Sequence, residues 1–503
     1  MLTNNNHTMN KINNKYLIIL VSLLSVTACK KQLDTNLSNP NGVTSAQITG
    51  KDVFANAIQV TSTNITNSYA FANEWMGYWA RTTSYSQSGQ EQQENFALQN
   101  SLGDGIWQSQ YHNIYDYNFI ESNSAANSIL PGASAVMKAL VFENLVDVFG
   151  DIPYTAAGNP NVSTQPKYDA AADVYKGLIA DINAGIVKIK ASSATGDDAS
   201  DIVFKGDKTK WVQFANTLKL RILLRMVPNG DQTFVKAALA DIATDGTGYL
   251  VAGEDVTANP GYANVEGQQS PFWSSYGFEV NGGAKNNNTY YIANKTMIDY
   301  LNATSDPRIG YFYDTTNGRN SGNYLGAVST ANPVSSLAHI GPGILKSASQ
   351  SAVIMLASQS FFLQAEAAQR GLISGNYSSL LQTGIEESFR YLGLTTAAAD
   401  AYYTTSKDDR VNPANGSNPL KAIIYQKWVA LAETDALETW SEYRRTGFPD
   451  RTNPSISVGV SPANDVLPKR LLYPQSEYNL NSKNVNAEGQ ASDGFTVKIF
   501  WGQ

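Results

Sequence analysis

The sequence contains very little cysteine and histidine. Cys29 is the one cysteine among 503 residues, and there are three histidines. A lone cysteine excludes a disulfide within the chain and a zinc site built from several cysteines. Charged residues make up 16% of the chain, below the roughly 25% that is usual for globular domains. The polar surface must therefore come mainly from neutral side chains.

Positive charge and catalytic motifs are also scarce. The formal net charge is −7 and the sequence has no cluster of lysine or arginine, which argues against a nucleic-acid-binding protein. It has no H-E-x-x-H motif, no G-x-S-x-G motif and no phosphate-binding loop. We therefore expect no metal, no cofactor and no enzymatic activity.

An apolar segment near the N-terminus is too short to span a bilayer. It covers Tyr16 to Leu24, roughly ten residues where a spanning helix needs about 20. The following Val26-Thr27-Ala28-Cys29 matches the bacterial lipobox. The match implies a lipoprotein signal peptide and lipidation of Cys29. Met1 and Met9 are both candidate start residues.

Aromatic and neutral polar residues are abundant. Hydrophobic residues make up 42% of the chain and aromatic residues 11%, with 27 tyrosines and 8 tryptophans. This content is sufficient for a large core. Aromatic rings can cover the apolar faces of sugars while amides bond the hydroxyls, so the composition suits a sugar-binding protein. Periplasmic and outer-membrane proteins of other kinds often share it, and that alternative stays open.

Hydrophobic periodicity predicts a mostly α-helical protein. Apolar residues recur at intervals of three and four in several segments, which is the pattern of amphipathic helices. The segments are 51–65, 135–148, 169–190, 208–226, 352–369, 381–392 and 421–443. They come in pairs with small and aromatic residues at the contacts, which favours tetratricopeptide-like helical hairpins.

The domain organisation follows from these patterns. Residues 1–28 form the expected signal peptide and residues 29–50 a polar tether behind the lipid. Residues 51–503 have no Pro/Gly/Ser-rich linker that would divide them, so we expect one domain. A loop-rich insert covers about 245–345, where only residues 294–301 have a helical pattern. Such a long irregular region favours a functional loop region.

Several short segments resemble one known family in the same order along the chain. Each is modest alone, but together they cover nearly the whole mature chain. The segments are Phe149-Gly150-Asp151-Ile152-Pro153-Tyr154, Asp306-Pro307-Arg308, Phe361-Phe362-Leu363-Gln364-Ala365-Glu366-Ala367-Ala368, Gln426-Lys427-Trp428-Val429-Ala430-Leu431, Trp440-Ser441-Glu442-Tyr443-Arg444-Arg445-Thr446-Gly447 and Leu471-Leu472-Tyr473-Pro474-Gln475-Ser476-Glu477-Tyr478. With the lipobox, the chain resembles the SusD/RagB family of nutrient-binding outer-membrane lipoproteins, in its SusD-like branch without assigned substrate.

The resemblance implies a fold, a location and a partner. The fold would be the SusD-like helical scaffold of tetratricopeptide-like hairpins. The protein would be held by its lipid at the cell surface, in the outer membrane. There it would capture a glycan or oligosaccharide without catalysis and deliver it to a SusC-like TonB-dependent transporter.

Two aromatic stretches are candidate ligand-binding sites. They combine flat rings with amides or arginine, the mixture that a sugar site needs. The first contains Trp75, Tyr78, Trp79 and Arg81, and the second contains Trp273, Tyr276 and Tyr290. The first three residues also fit a helical face, so core packing is an equal alternative for them. The second stretch lies in the irregular region, which favours a surface role.

Three other functions stay open. A lipoprotein of the same kind could capture peptides. A secreted glycoside hydrolase on a helical scaffold would need a carboxylate pair, and Glu366, Glu433, Glu438 and Glu442 are candidates. Arginines lie near them in the predicted helices, so ion pairs and capping are the favoured explanation. The third alternative is a structural or assembly lipoprotein.

Replacing the single cysteine tests the anchor. We expect Cys29→Ala to abolish lipid attachment and fractionation with membranes while leaving the body folded, because the thiol is the lipid acceptor of a lipobox. Fatty-acid labelling and membrane fractionation measure this. A Cys29→Ala protein that still carries the label and pellets with outer membranes would contradict the anchor.

Overall fold

The computed structural model describes residues 47–82, 91–158, 163–193, 198–326, 334–450, 467–488 and 494–503, and α-helices dominate them. Cys29, and with it the predicted signal peptide and most of the tether, lies outside these ranges. The longer helices are α1 (Gly50–Asn67), α4 (Asp104–Asn123), α5 (Leu130–Phe149), α6 (Ala171–Ala191), α7 (Lys208–Met226), α8 (Gln232–Asp245), α11 (Lys295–Ala303), α13 (Ala357–Gln369), α14 (Tyr377–Leu392), α15 (Thr396–Thr405), α16 (Pro419–Ala430) and α17 (Ala436–Thr446). The shorter ones are α2 (Ala70–Trp75), α3 (Glu91–Glu94), α9 (Pro271–Tyr276), α10 (Asn286–Tyr290), α12 (Ile309–Phe312), α18 (Gln475–Leu480) and α19 (Ser482–Ala487).

The long helices pack as successive hairpins. Helix α1 packs on α4, and each helix from α4 to α8 packs on the next. A second series begins where α13 packs on α7 and continues through α14 and α15, while α16 packs on α13. The predicted mostly α fold with helical hairpins is therefore confirmed.

A pair of glycines sets the distance between α5 and α6. A Cβ atom on Gly132 would lie 2.7 Å from the carbonyl oxygen of Gly185, and one on Gly185 would lie 2.9 Å from that of Gly132. Both distances are too short for real atoms, so only glycine permits this approach. The close contact brings Ile189 of α6 against α5, where its side chain is fully buried.

Three pairs of short strands join segments of the loop-rich part of the chain to one another or to segments outside it. Strands β1 (Trp79–Arg81) and β3 (Tyr291–Ala293) form one antiparallel pair. The other two antiparallel pairs join β2 (Val256–Ala258) to β6 (Ala352–Met355) and β4 (Tyr313–Asp314) to β5 (His339–Ile340). The region therefore carries short helices and strands that pack on the core. Gly50–Gln503 forms one compact unit.

Two predicted helices include residues that are not helical in the structure. Residues 352–369 begin with strand β6, and the helix starts only at Ala357. A short apolar run with β-branched residues has no periodicity that separates a strand from a buried helix. The predicted helix 421–443 is two helices, because Glu433 has the left-handed φ of 65° and Asp435 begins α17 by accepting the backbone N–H of Glu438.

Helix α7 follows its predicted bounds and carries a central core residue. This residue is Trp211, whose ring is fully buried and whose indole N–H donates to the carboxylate of Asp201 at 2.7 Å. The same carboxylate accepts backbone N–H groups of the preceding loop, including that of Gly206 at 2.7 Å. Leu218 and Ile222 are also fully buried on this helix. Trp211 therefore joins a helix, a loop and the core.

Loss of this ring tests the scaffold. We expect Trp211→Ala to lower the free energy of unfolding by about 3–5 kcal/mol, because it leaves a cavity in a packed core. Chemical denaturation of the full-length protein measures this. Val187→Ala on α6 is the control, since Val187 is 68% exposed and should change stability by less than about 0.5 kcal/mol. An unchanged midpoint for Trp211→Ala would contradict the packing.

No helix within the described ranges is long and apolar enough to cross a membrane.

Candidate functional site

The two aromatic stretches predicted from the sequence meet in the structure. Strand β1 pairs with β3, so that Trp79 lies opposite Ala293 and Arg81 opposite Tyr291. The ring centroid of Trp79 lies 4.8 Å from that of Tyr276 and 4.7 Å from that of Tyr291. Residues about 200 positions apart in the sequence therefore form one aromatic cluster.

Most of this cluster is core, so for the first stretch the structure favours core packing, one of the two alternatives left open by the sequence. Trp75, Tyr78 and Trp79 are fully buried and Tyr276 is 3% exposed. Trp75 packs edge-on against Trp440 with a centroid distance of 5.2 Å. These rings are covered by protein because burial of large apolar area outweighs their polar groups, and they have no free face for a ligand.

Arg81 is also used internally. Its Nε and Nη2 atoms donate to the carboxylate of Glu94 at 2.6 and 3.0 Å, and both side chains are buried. The hydrogen bonds to Glu94 raise the pKa of Arg81, so the guanidinium stays charged. Trp273 and Tyr290 are half-buried at the edge of the cluster, 5.4 Å from Phe278 and 4.8 Å from Tyr291 respectively. These two keep accessible surface, and their ligand contact stays a prediction.

A more open site lies beside the cluster, in a cavity of about 340 Å³. Helices α11 and α16 form two of its walls, and three loop segments, around Tyr324, Arg410 and Asp450, close the others. Its lining residues are Thr296, Asp299, Tyr300, Ala303, Tyr324, Arg410, Tyr425, Trp428, Pro449 and Asp450. The volume is at the lower end of the range of small-molecule sites.

Three largely buried aromatic rings and an arginine form one wall of this cavity. Tyr300 and Tyr425 are each 5% exposed and Trp428 is 2% exposed, so only a small part of each ring reaches the cavity. Tyr300 and Tyr425 stack with a centroid distance of 5.5 Å and an angle of 18°, and Trp428 meets Tyr300 edge-on at 5.2 Å. The guanidinium of Arg410 lies 4.9 Å from the ring of Tyr300. Asp408 holds it with two bonds, at 2.9 and 2.7 Å. The wall is thus rigid and mixes apolar ring edges with hydrogen-bond donors.

The rim of the cavity is polar. Asp299 is exposed and forms an ion pair with Lys295 at 2.5 Å. Lys295 also lies 5.6 Å from the half-buried ring of Tyr324. On another side the backbone N–H of Asp450 donates to the hydroxyl of Tyr425 at 3.0 Å. Burial and the Asp450 carboxylate raise the pKa of Tyr425 to about 12, so this hydroxyl is neutral at physiological pH.

Three of the four carboxylates considered for hydrolysis are in ion pairs. Glu366 accepts from Arg445 at 2.6 Å, and Glu442 accepts from the same arginine at 2.5 Å. Glu438 accepts from Lys427 at 2.5 Å. All three are buried within the scaffold. The structural explanation of these three residues is confirmed.

The fourth carboxylate, Glu433, has no ion-pair partner among the described residues. It is 4% exposed, and neither carboxylate oxygen has a hydrogen bond of good geometry within the described part of the chain. Burial raises its pKa to about 8, against a smaller opposite effect of the Trp79 indole. Glu433 is therefore protonated at neutral pH and was wrongly grouped with the paired carboxylates.

Sequence reasoning missed the cavity. Tyr300 and Trp428 lie next to or within the segments that carry the family resemblance, but Tyr324, Arg410 and Asp450 come from unrelated stretches. The spacing Asp408-x-Arg410 was a weak local signal of an ion pair, because side chains two positions apart can bond across a turn. Across the described ranges, no group of three or more His, Cys, Asp and Glu side chains is arranged to hold a metal ion.

The fold and the site together define a class of protein. It is a mostly α-helical scaffold of hairpins, with short strands in its loops, that carries a cavity lined partly by aromatic residues. The chain belongs to the SusD-like_2 family, described as "Starch-binding associating with outer membrane", whose model matches residues 40–474. The family predicted from the sequence is therefore confirmed. A comparison with curated protein sequences finds no match.

Solved structures show the same fold. A chitin-binding SusD homolog from Flavobacterium johnsoniae is 24% identical with a TM-score of 0.71, covering 89% of this chain and 98% of its own. A SusD homolog from Bacteroides vulgatus is 20% identical with a TM-score of 0.73, covering 89% and 97%. A SusD-like protein from Bacteroides thetaiotaomicron is 20% identical with a TM-score of 0.71, covering 89% and 98%.

The pH dependence of stability tests the buried Glu433. The native state holds a proton that the unfolded state releases above the ordinary carboxyl pKa of 4.5, so wild-type stability should fall as pH rises from about 4.5 to about 8. Glu433→Gln removes this loss. We expect the variant to gain on the order of 3 kcal/mol over wild type on going from pH 5 to pH 8.

Urea unfolding at both pH values measures the difference. Glu266→Gln is the matched control, since Glu266 is exposed and its replacement should leave the pH profile of wild type unchanged. A difference between Glu433→Gln and wild type that is independent of pH would contradict a protonated Glu433.

Proposed function

We propose that the protein captures a glycan in the cavity between α11 and α16 and releases it unchanged. The observation that carries this proposal is the wall formed by Tyr300, Tyr425, Trp428 and Arg410, with carboxylates at the rim. Ring edges and a stacked guanidinium suit the C–H faces of a sugar, and the neutral hydroxyl, the carboxylates and the arginine suit its hydroxyls.

The similarity to known proteins supports a glycan ligand independently of the cavity. The family description names starch, and the Flavobacterium johnsoniae structure is described as chitin-binding. Both are polymers of uncharged pyranose sugars, glucose in starch and N-acetylglucosamine in chitin, whose rings present apolar faces and hydroxylated edges. The cavity lining offers partners for both surfaces.

The wider role proposed is nutrient uptake at the cell surface. The family description places its members in association with the outer membrane, and the lipobox at Cys29 supplies a means of attachment. A capture protein held at that membrane has to pass its ligand to a channel. We propose a SusC-like TonB-dependent transporter as the recipient.

Two alternatives concern the same cavity. Peptide capture would use Asp299, Asp450 and Arg410 as partners for charged side chains or termini. Hydrolysis of the glycan would require two carboxyl groups on opposite sides of the scissile bond, and Asp299 and Asp450 both line the cavity. Binding without turnover favours capture over hydrolysis.

Calorimetric titration with malto- and chito-oligosaccharides tests the proposal. We expect Tyr324→Ala to weaken binding by about 1–2 kcal/mol, because a half-buried ring at the rim covers one sugar face. Trp273→Ala tests the residue predicted from the sequence in the same way. Product analysis of the same mixtures should find the oligosaccharides intact.

Tyr115→Ala is the matched control for these titrations. Tyr115 is 52% exposed on α4 and does not line the cavity, so its loss should leave affinity unchanged. Thermal midpoints should agree among Tyr324→Ala, Tyr115→Ala and wild type. Unchanged affinity for Tyr324→Ala, with binding retained, would place the glycan elsewhere on the protein.

A further inference from the structure

The described lining of the cavity carries more negative than positive charge. Of its described lining residues, Asp299, Arg410 and Asp450 carry charge. The Arg410 charge is compensated by Asp408, which accepts two hydrogen bonds from the guanidinium. The Asp299 charge is compensated by Lys295, whose ammonium group lies 2.5 and 2.6 Å from the two carboxylate oxygens.

Asp450 differs from the other two charged residues. It is exposed, and no described lysine, arginine or histidine lies within ion-pair distance of its carboxylate. Its backbone N–H donates to Tyr425, which fixes the backbone of Asp450 at the edge of the aromatic wall. Arg451, the next residue, lies outside the described ranges. The described lining therefore presents one uncompensated negative charge beside a ring.

The ion pair at Asp299 can also yield to a ligand. Both of its partners are exposed, with side-chain exposures of 40% for Lys295 and 48% for Asp299. Exposed pairs of this kind are weak because water screens them. A cationic ligand group could replace Lys295 at Asp299, whereas an anionic group would meet carboxylates at two points of the rim.

We propose that the cavity selects glycans that carry a protonated amino group and discriminates against acidic glycans such as oligouronates. This inference rests on the proposed glycan capture and adds the charge class of the ligand. The amine would sit against the Asp450 carboxylate while the sugar ring lies along the aromatic wall. Neutral oligosaccharides bind through the wall alone, so their affinity lies between those of the cationic and the acidic glycans.

Three oligosaccharides of equal length separate these classes. The probes are oligomers of N-acetylglucosamine, of glucosamine and of galacturonic acid, titrated into the full-length protein by calorimetry at a pH at which the sugar amine is protonated. We expect the glucosamine oligomer to bind about two- to fivefold more tightly than the neutral one at low salt, the size of an exposed charge pair. The galacturonic acid oligomer should bind more weakly than both.

Charge removal and salt identify the cause. Asp450→Asn keeps the side-chain shape and should bring the glucosamine and N-acetylglucosamine oligomers to the same affinity. High salt should do the same in wild type, because it screens exposed charges. Asp241→Asn, which removes an exposed carboxylate of α8 outside the cavity lining, should keep the preference of wild type.

The outcomes distinguish this inference from the proposed function. Equal binding of the neutral and cationic oligomers, tighter binding of the acidic oligomer, or a preference that survives Asp450→Asn would each overturn the charge selectivity while leaving glycan capture intact. Absence of binding by all three oligomers and by malto-oligosaccharides would overturn capture itself and the selectivity with it.

Discussion

A series of buried ion pairs determines how the two groups of helices pack. Arg225 on α7 bonds both Glu143 on α5 and Glu438 on α17, and Lys427 on α16 bonds Glu438 as well. Desolvation of these charges offsets most of their attraction, whereas removing one partner of such a pair costs about 3–5 kcal/mol. The pairs therefore add little net stability. They strongly disfavour any helix arrangement that leaves one of these charges unpaired, and we interpret them as the constraint on which the scaffold depends.

Helix α16 connects that constraint to the cavity. Lys427 faces the ion pairs, while its neighbour Gln426 accepts from the buried guanidinium of Arg308 at 2.8 Å and donates to the hydroxyl of Tyr300 at 2.9 Å. The next residue, Trp428, donates to the backbone of Met76 at 2.9 Å and lines the cavity. Three consecutive residues thus join the core, the Arg308 cluster and the aromatic wall. The geometry of the wall follows from the packing of the scaffold.

The structure could be predicted from the sequence where residues close together in the chain determine it. Helix α7 was predicted with its observed bounds because its apolar residues repeat at helical spacing over that range, and in the structure Asp207 caps its start. The break at Glu433 was missed, since a left-handed residue inside an apolar pattern leaves no periodic signal. The cavity was missed for a different reason. Its lining joins positions as distant as Thr296 and Asp450, and only tertiary packing brings them together.

The same reasoning explains why the most aromatic stretch is not the cavity wall. Trp75 ends helix α2 and Trp79 begins strand β1, and the core covers both completely, so the gain from burying two large rings is fully realised there. Tyr300 and Tyr425 are almost as buried, at 5% exposure each, but they stack on each other and on Arg410, whose side chain is 27% exposed. The cavity therefore opens beside the partly exposed Arg410, and only small parts of the rings reach it. In such a site each sugar hydroxyl exchanges a bond to water for a bond to protein, so the net gain per hydroxyl is small. The proposed capture would then be weak and reversible, as a protein that passes its ligand on requires.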